Sequence, residues 1–259
     1  MSRWKLTVEY DGTGFCGWQR QNNGLAVQQA LEDAIEKFSG ERVTTHVAGR
    51  TDAGVHARAQ VAHADIAKET TAEVVRDALN FHLKPHRVAI LEVESVSEEF
   101  HARFSALARS YRYQILNRRA PAALLADYAW HVSKPLAIEP MQEAAKILIG
   151  HHDFSTFRAS ECQSNSPLKT LDVLAILRDG ELIIFETRAR SFLYHQVRNM
   201  VGTLVLAGTG QWSCDDFKAA FAARNRKAGG PTAPAHGLFF WSVEYPQQIC
   251  RNIAKITTG

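Results

Sequence analysis

The segment Trp4-Lys5-Leu6-Thr7-Val8-Glu9-Tyr10 alternates apolar and polar residues, the period of a half-buried strand, and runs into the turn dipeptide Asp11-Gly12. Val27, Ala30, Leu31, Ala34, Ile35 and Phe38 then recur at helical spacing up to Gly40, a natural helix stop. Short strands are predicted at Val43 to Val47 and Gln60 to Asp65, a helix over Glu73 to His82, and a strand from Val88 to Val96. The order is βαββαβ. A second pass gives a strand at Arg109 to Leu116 and a helix from Pro140 to Ile149, with proline in the tolerated first turn. Strands at Leu171 to Arg178 and Leu182 to Ala189 flank Asp179-Gly180, a hairpin signal. A helix with Val197, Met200, Val201, Leu204 and Val205 on one face follows, and then a strand over Leu238 to Tyr245.

The same order thus occurs twice. The reading is an α+β protein of two tandem ferredoxin-like halves, residues 1–106 and 107–259, with antiparallel sheet and a central cleft. A chain of 259 residues allows one extended or two modest domains at about 150 residues each. Cys16, Cys162, Cys214 and Cys250 lie far apart without a Cys-x-x-Cys pair, which argues against a disulfide framework or zinc cage and for a reducing compartment. Met1-Ser2-Arg3-Trp4-Lys5 lacks the apolar stretch of a signal peptide. No apolar run approaches the roughly 18 residues of a membrane span. A cytoplasmic protein with no membrane partner is expected.

Charge changes the picture because it is unevenly spread. The net charge is only +3, yet Arg103, Arg109, Arg112, Arg118 and Arg119 fall in one acid-free stretch and Arg188, Arg190 and Arg198 in another. Arg224, Arg226 and Lys227 form a third group. Basic stretches interleaved with aromatics, as in Arg109-Ser110-Tyr111-Arg112-Tyr113, suit a phosphate backbone carrying stackable bases.

Gly12-Thr13-Gly14-Phe15-Cys16-Gly17 matches a dinucleotide fingerprint after a predicted strand. In such a site, however, the third glycine lies in the opening helix. Here the polar loop Trp18-Gln19-Arg20-Gln21-Asn22-Asn23-Gly24 intervenes, so an oxidoreductase reading fails on context. His151-His152-Asp153 does not read as a metal site, because adjacent side chains on an extended chain point apart. The segment Gly49-Arg50-Thr51-Asp52-Ala53-Gly54-Val55-His56 is a loop between two strands in which glycines frame an acid flanked by Arg50 and Thr51. Loops on a rigid scaffold are where catalytic groups concentrate.

These segments combine into a larger pattern. Tyr10 to Gln21, Gly49 to Ala57, Phe100-His101-Ala102-Arg103, Arg109 to Tyr113, Asp153-Phe154-Ser155-Thr156-Phe157-Arg158 and Phe192 to Gly202 together resemble the tRNA pseudouridine synthase A family, over about residues 4 to 245. The resemblance implies a homodimeric, cytoplasmic enzyme that isomerises uridines at about positions 38, 39 and 40 of the tRNA anticodon arm, with no cofactor and no metal. It places the catalytic aspartate on Asp52, the substrate-contacting tyrosine on Tyr111 and the charge partner of the aspartate on Arg198. Arg50 is a substrate-binding candidate beside Asp52. A non-catalytic RNA-binding protein using the same basic surface is the alternative.

The residue types suit the chemistry. An ionised carboxylate can attack the nucleoside and split one hard step into two easier ones, either at C6 of the ring or at the anomeric carbon. A guanidinium beside it keeps it charged in a dry site. An aromatic ring can hold the base while the glycosidic bond is open.

Overall fold

The computed structural model describes residues 1–22 and 24–247; Asn23 of the polar loop, Cys250 and the tail from 248 onward lie outside the described residues. The chain divides into two compact units, Met1–Leu107 with Phe240–Gly259, and Ala108–Phe239.

In the first unit the element order is β1 (Ser2–Tyr10), α1 (Val27–Ser39), β2 (His46–Val47), β3 (His56–Ile66), α2 (Ala72–His82) and β4 (Val88–Val96). Here β1 is central, antiparallel to β3 on one side and to β4 on the other. Its alternation puts Trp4, Leu6, Val8 and Tyr10 on a buried face, as the pleat requires. The helix α1 buries Val27, Ala30, Leu31, Ala34 and Ile35 along one stripe, and each fully buried Leu or Ile contributes about 1.5–3 kcal/mol. It ends at Gly40 in the left-handed region, at φ 78°, whose N–H closes on Glu36 O.

The second unit runs β5 (Ala108–Asn117), β6 (Trp130–Val132), α3 (Ile138–Lys146), β7 (Gly150–Asp153), β8 (Leu168–Asp179), β9 (Leu182–Ala189), α4 (Gln196–Gly208) and α5 (Cys214–Ala222). Its antiparallel core is β5-β9-β8-β7, with β6 parallel to β5. From there β10 (Leu238–Glu244) carries the chain back to the first unit, where Leu107 N–H bonds Glu244 O and the Tyr245 hydroxyl bonds Ala102 O.

The structure is α+β with a mostly antiparallel sheet. It differs from the sequence reading in particulars. The strand expected over Val43 to Val47 is only His46–Val47, and the strand expected from Gln60 begins at His56. The helix expected over Pro140 to Ile149 is Ile138–Lys146, with Pro140 third in its first turn, where the missing N–H costs no helical bond. The elements β6, β7 and α5 were not expected. Among the described residues, no helix is long and apolar enough to cross a membrane.

Candidate active site

Asp52 lies in the loop between β2 and β3, partly exposed at the start of a turn closed by Val55 N–H to Asp52 O at 3.1 Å. The loop is gripped from beneath. Trp18 N–H donates to Thr51 O at 3.0 Å, and the Thr51 and Tyr10 hydroxyls lie 2.7 Å apart. Gln60 on β3 donates to Gly49 O at 2.8 Å and reaches the Tyr10 oxygen at 3.5 Å. Burial pushes the Tyr10 phenol up to about 12, and the Asp52 charge adds a small push in the same direction. Tyr10 therefore stays a neutral hydroxyl at neutral pH, able to donate one bond and accept another.

The glycines of the misleading fingerprint find their reason here. A Cβ on Gly12 would run into the Val55 carbonyl, and one on Gly17 would lie 2.7 Å from Thr51 O. Gly17 also holds φ 107°, which disfavours any side chain. These glycines let the loop backbone come close; they do not cradle a pyrophosphate. His56 is 2% exposed and accepts the Gly12 N–H on Nδ1 at 3.0 Å. Asp11 Oδ1 is 3.1 Å from the same nitrogen, but that carboxylate is already served by Thr13 N–H and Arg87, so the Gly12 bond sets the ring. Arg50 is exposed in the same loop as Asp52.

In the second unit, Tyr111 sits on β5 opposite Thr187 of β9, half-buried, its ring edge-on to Phe192 at 5.1 Å. Arg198 lies in the first turn of α4, its Nε donating to Ala233 O at 2.8 Å while Ala233 N–H returns a bond to Arg198 O at 3.1 Å. Tyr113, two residues from Tyr111 on the same strand face, donates its hydroxyl to the neighbouring Pro234 O at 2.8 Å. Burial raises the Tyr113 phenol, while the nearby Arg198 guanidinium pulls it the other way. The 233–234 segment therefore ties Arg198 to the strand that carries Tyr111. A Cβ on Gly202 would strike the Pro231 carbonyl, which explains a glycine inside α4. Asn199 Nδ2 donates to Phe157 O at 2.9 Å, and its Oδ1 accepts from Arg226 and Thr232. That network accounts for the 154–158 and 192–202 motifs as one scaffold.

Each unit thus holds two of the four candidates: Asp52 and Arg50 in one, Tyr111 and Arg198 in the other. The supporting Tyr10 and Gln60 were not singled out from the sequence. Gln60 gave little signal, because β3 also carries His56, Arg58, His63 and Asp65. The arginine stretches, acid-free along the chain, meet acids in space: Arg112 pairs with Glu186 at 2.5 Å, Arg118 with Glu181 at 2.8 Å and Arg188 with Asp172 at 3.1 Å. His151 and His152 bond Thr170 and the Ile149 carbonyl, and among the described residues no cluster of His, Cys, Asp or Glu is placed to hold a metal.

Comparison with known proteins addresses the whole chain. A family model described as tRNA pseudouridine synthase matches residues 6–105 and 144–246. Proteins named tRNA pseudouridine synthase A are similar at high identity. The one from Rhodospirillum centenum is 63% identical over 95% of this chain and 100% of its own length. Those from Paramagnetospirillum magneticum and Rhodospirillum rubrum are 60% and 54% identical over 95% of this chain, covering 96% and 88% of theirs. A likeness to a chain in a Cbf5-Nop10-Gar1 crystal structure is weak, with a TM-score of 0.38 and 10% identity over 78% of this chain and 44% of that one. On the family model and these relatives, the chain belongs to the tRNA pseudouridine synthase family.

Proposed function

We propose that this protein isomerises uridines at about positions 38, 39 and 40 of the tRNA anticodon stem-loop, with Asp52 as nucleophile. The observation that supports it most is the grip on the Asp52 loop: Trp18, Tyr10 and Gln60 hydrogen-bond residues 49 and 51, and two glycines that admit no side chain let the neighbouring backbone close up against residues 51 and 55. A turn that served only as a connection has no use for such support, whereas a reacting group must be held to a fraction of an ångström.

In this reading the chain is built of two tandem ferredoxin-like halves, residues 1–106 supplying the aspartate and 107–259 supplying Tyr111 and Arg198. The target uridine leaves the stack at a cost of a few kcal/mol, least at an unpaired position, and lies against the Tyr111 ring. Asp52 adds to the nucleoside, the N1–C1′ bond breaks, the base turns, and C5 bonds to C1′. The C5 proton goes to water, N1 takes up a proton, and the carboxylate is released unchanged. No oxidant, reductant or cofactor enters that balance. Arg198 keeps Asp52 ionised, and Arg50 contacts the flipped nucleotide. The enzyme works as a cytoplasmic homodimer.

Replacing Asp52 by Asn keeps the shape and removes the nucleophile. With tRNA labelled with tritium at C5 of uridine, the wild type releases label to water. The variant binds tRNA and releases none. Full release by the variant removes Asp52 from the chemistry; no release by either protein favours the RNA-binding alternative.

A further inference from the structure

Two non-glycine residues among those described hold a positive φ, His195 at 59° and Arg224 at 48°. His195 is the N-cap of α4 and makes no side-chain capping bond, so capping does not account for its conformation. A left-handed histidine costs on the order of 1 kcal/mol, and such strain persists where the surroundings impose it. What it achieves is visible in the rings. Consecutive side chains on an extended chain point apart, but the reversal at His195 brings its imidazole onto Tyr194, with centroids 3.9 Å apart and planes at 27°. Tyr194 is 38% exposed, so the outer ring of this pair faces solvent.

The stack is built on fixed backbone. Tyr194 N–H donates to Cys162 Sγ at 3.4 Å, and Tyr194 O accepts Ala159 N–H at 3.2 Å. The 158–164 loop is held in turn by Arg158, which donates to Cys162 O and Ser164 O. One turn along α4 from His195 is Arg198, and two residues before Tyr194 is Phe192, the ring against Tyr111. A strained ring pair therefore lies three residues from one candidate site residue and two residues from the ring that supports another.

We propose that the Tyr194–His195 stack is an RNA platform, on which one unpaired base of the tRNA strand beside the target uridine stacks. This rests on the reading above that Arg198 and Tyr111 serve the reacting nucleotide. Aromatic stacking suits a neighbouring base because every base presents a π-face, so several tRNAs can be accepted without reading their sequence. The left-handed histidine is retained because its ring backs the exposed tyrosine and stiffens it, leaving the outer tyrosine face for a base.

The test measures tRNA affinity by filter binding, and melting temperature, for Tyr194→Ala, Tyr194→Phe and Asp52→Asn. Tyr194→Ala is expected to weaken binding about 5- to 150-fold, the range set by one base–aromatic stack, with an unchanged melting temperature. Tyr194→Phe, which keeps the ring, retains wild-type affinity. Wild-type affinity in Tyr194→Ala overturns the platform, and so does equal loss in Ala and Phe variants, which would assign the effect to the hydroxyl. Asp52→Asn separates the two readings: tritium release by that variant sinks the catalytic assignment and leaves the platform standing.

Discussion

Tyr10 and Thr51 share a buried hydroxyl contact at 2.7 Å, and around it turns the position of the carboxylate next door. Removing one hydroxyl orphans the other in a place water does not reach, so Tyr10→Phe should cost about 1–2 kcal/mol of stability. Turnover should fall with it, because the Thr51 side chain beside Asp52 loses its anchor. Urea midpoints and steady-state rates check both, and a variant matching wild type in each would show that the bond is dispensable. Arg198 makes a related point. Its Nε already holds Ala233 O, so the role proposed for it falls to the other end of the fork. A lysine has one nitrogen and could not keep Ala233 O and serve a carboxylate together; on that proposal Arg198→Lys should lower turnover about tenfold or more. Unchanged kinetics would show that the guanidinium does not serve the carboxylate.

Individual elements differ in how plainly the chain announces them. The strand β1 and the helix α1 were legible because a strict period of two, then one near 3.6, extends over enough residues to outweigh local exceptions. The strand β7 is Gly150-His151-His152-Asp153, polar throughout, and exists because β8 offers it an antiparallel partner; pairing of that kind is invisible in local sequence. Likewise β6 is three residues long, too short to show any period. The helix α5 buries only Phe217 and Ala220 among its nine residues, which leaves little stripe to read. Its start does carry a signature, a reciprocal box between Ser213 and Asp216. Ser213→Ala should therefore destabilise the protein by about 1 kcal/mol, measurable as a lowered thermal midpoint. Asp52, Tyr111 and Arg198 could be named as candidates because they stand in long motifs. The supports of the Asp52 loop could not, because Tyr10 and Gln60 look like ordinary strand residues until the loop folds over them.

The molecule as a whole carries a buried histidine that responds to acid. His63 on β3 stacks on His46 at 4.9 Å and meets His101 at 4.8 Å, and its Nδ1 accepts Ala102 N–H at 3.1 Å. Burial first, then the charges of His101, His46 and Arg3, push it down to about 4, with Asp65 opposing weakly. His101 is lowered as well, first by burial. In the unfolded chain His63 titrates near 6.5. Between those values the unfolded chain takes up a proton that the folded one refuses, so stability is full above about pH 6.5 and declines toward pH 4. Denaturation midpoints at pH 7.5, 6.0 and 5.0 should fall in that order, and a level series would show that the cluster is not linked to folding.

The last strand has a consequence for how the protein is made. Because Phe240 to Glu244 rejoin the unit that begins at Met1, that unit is missing a strand for most of the time the chain spends emerging from the ribosome. The second unit, closed within Ala108–Phe239, has all its residues first. In the sheet order β10 lies beside β3, so the stretch of β3 that β2 does not cover lacks a neighbour until a segment about 180 residues further along has been made. Every residue of the second unit is therefore made before the first unit is complete, and the first unit stays one strand short until translation is nearly over.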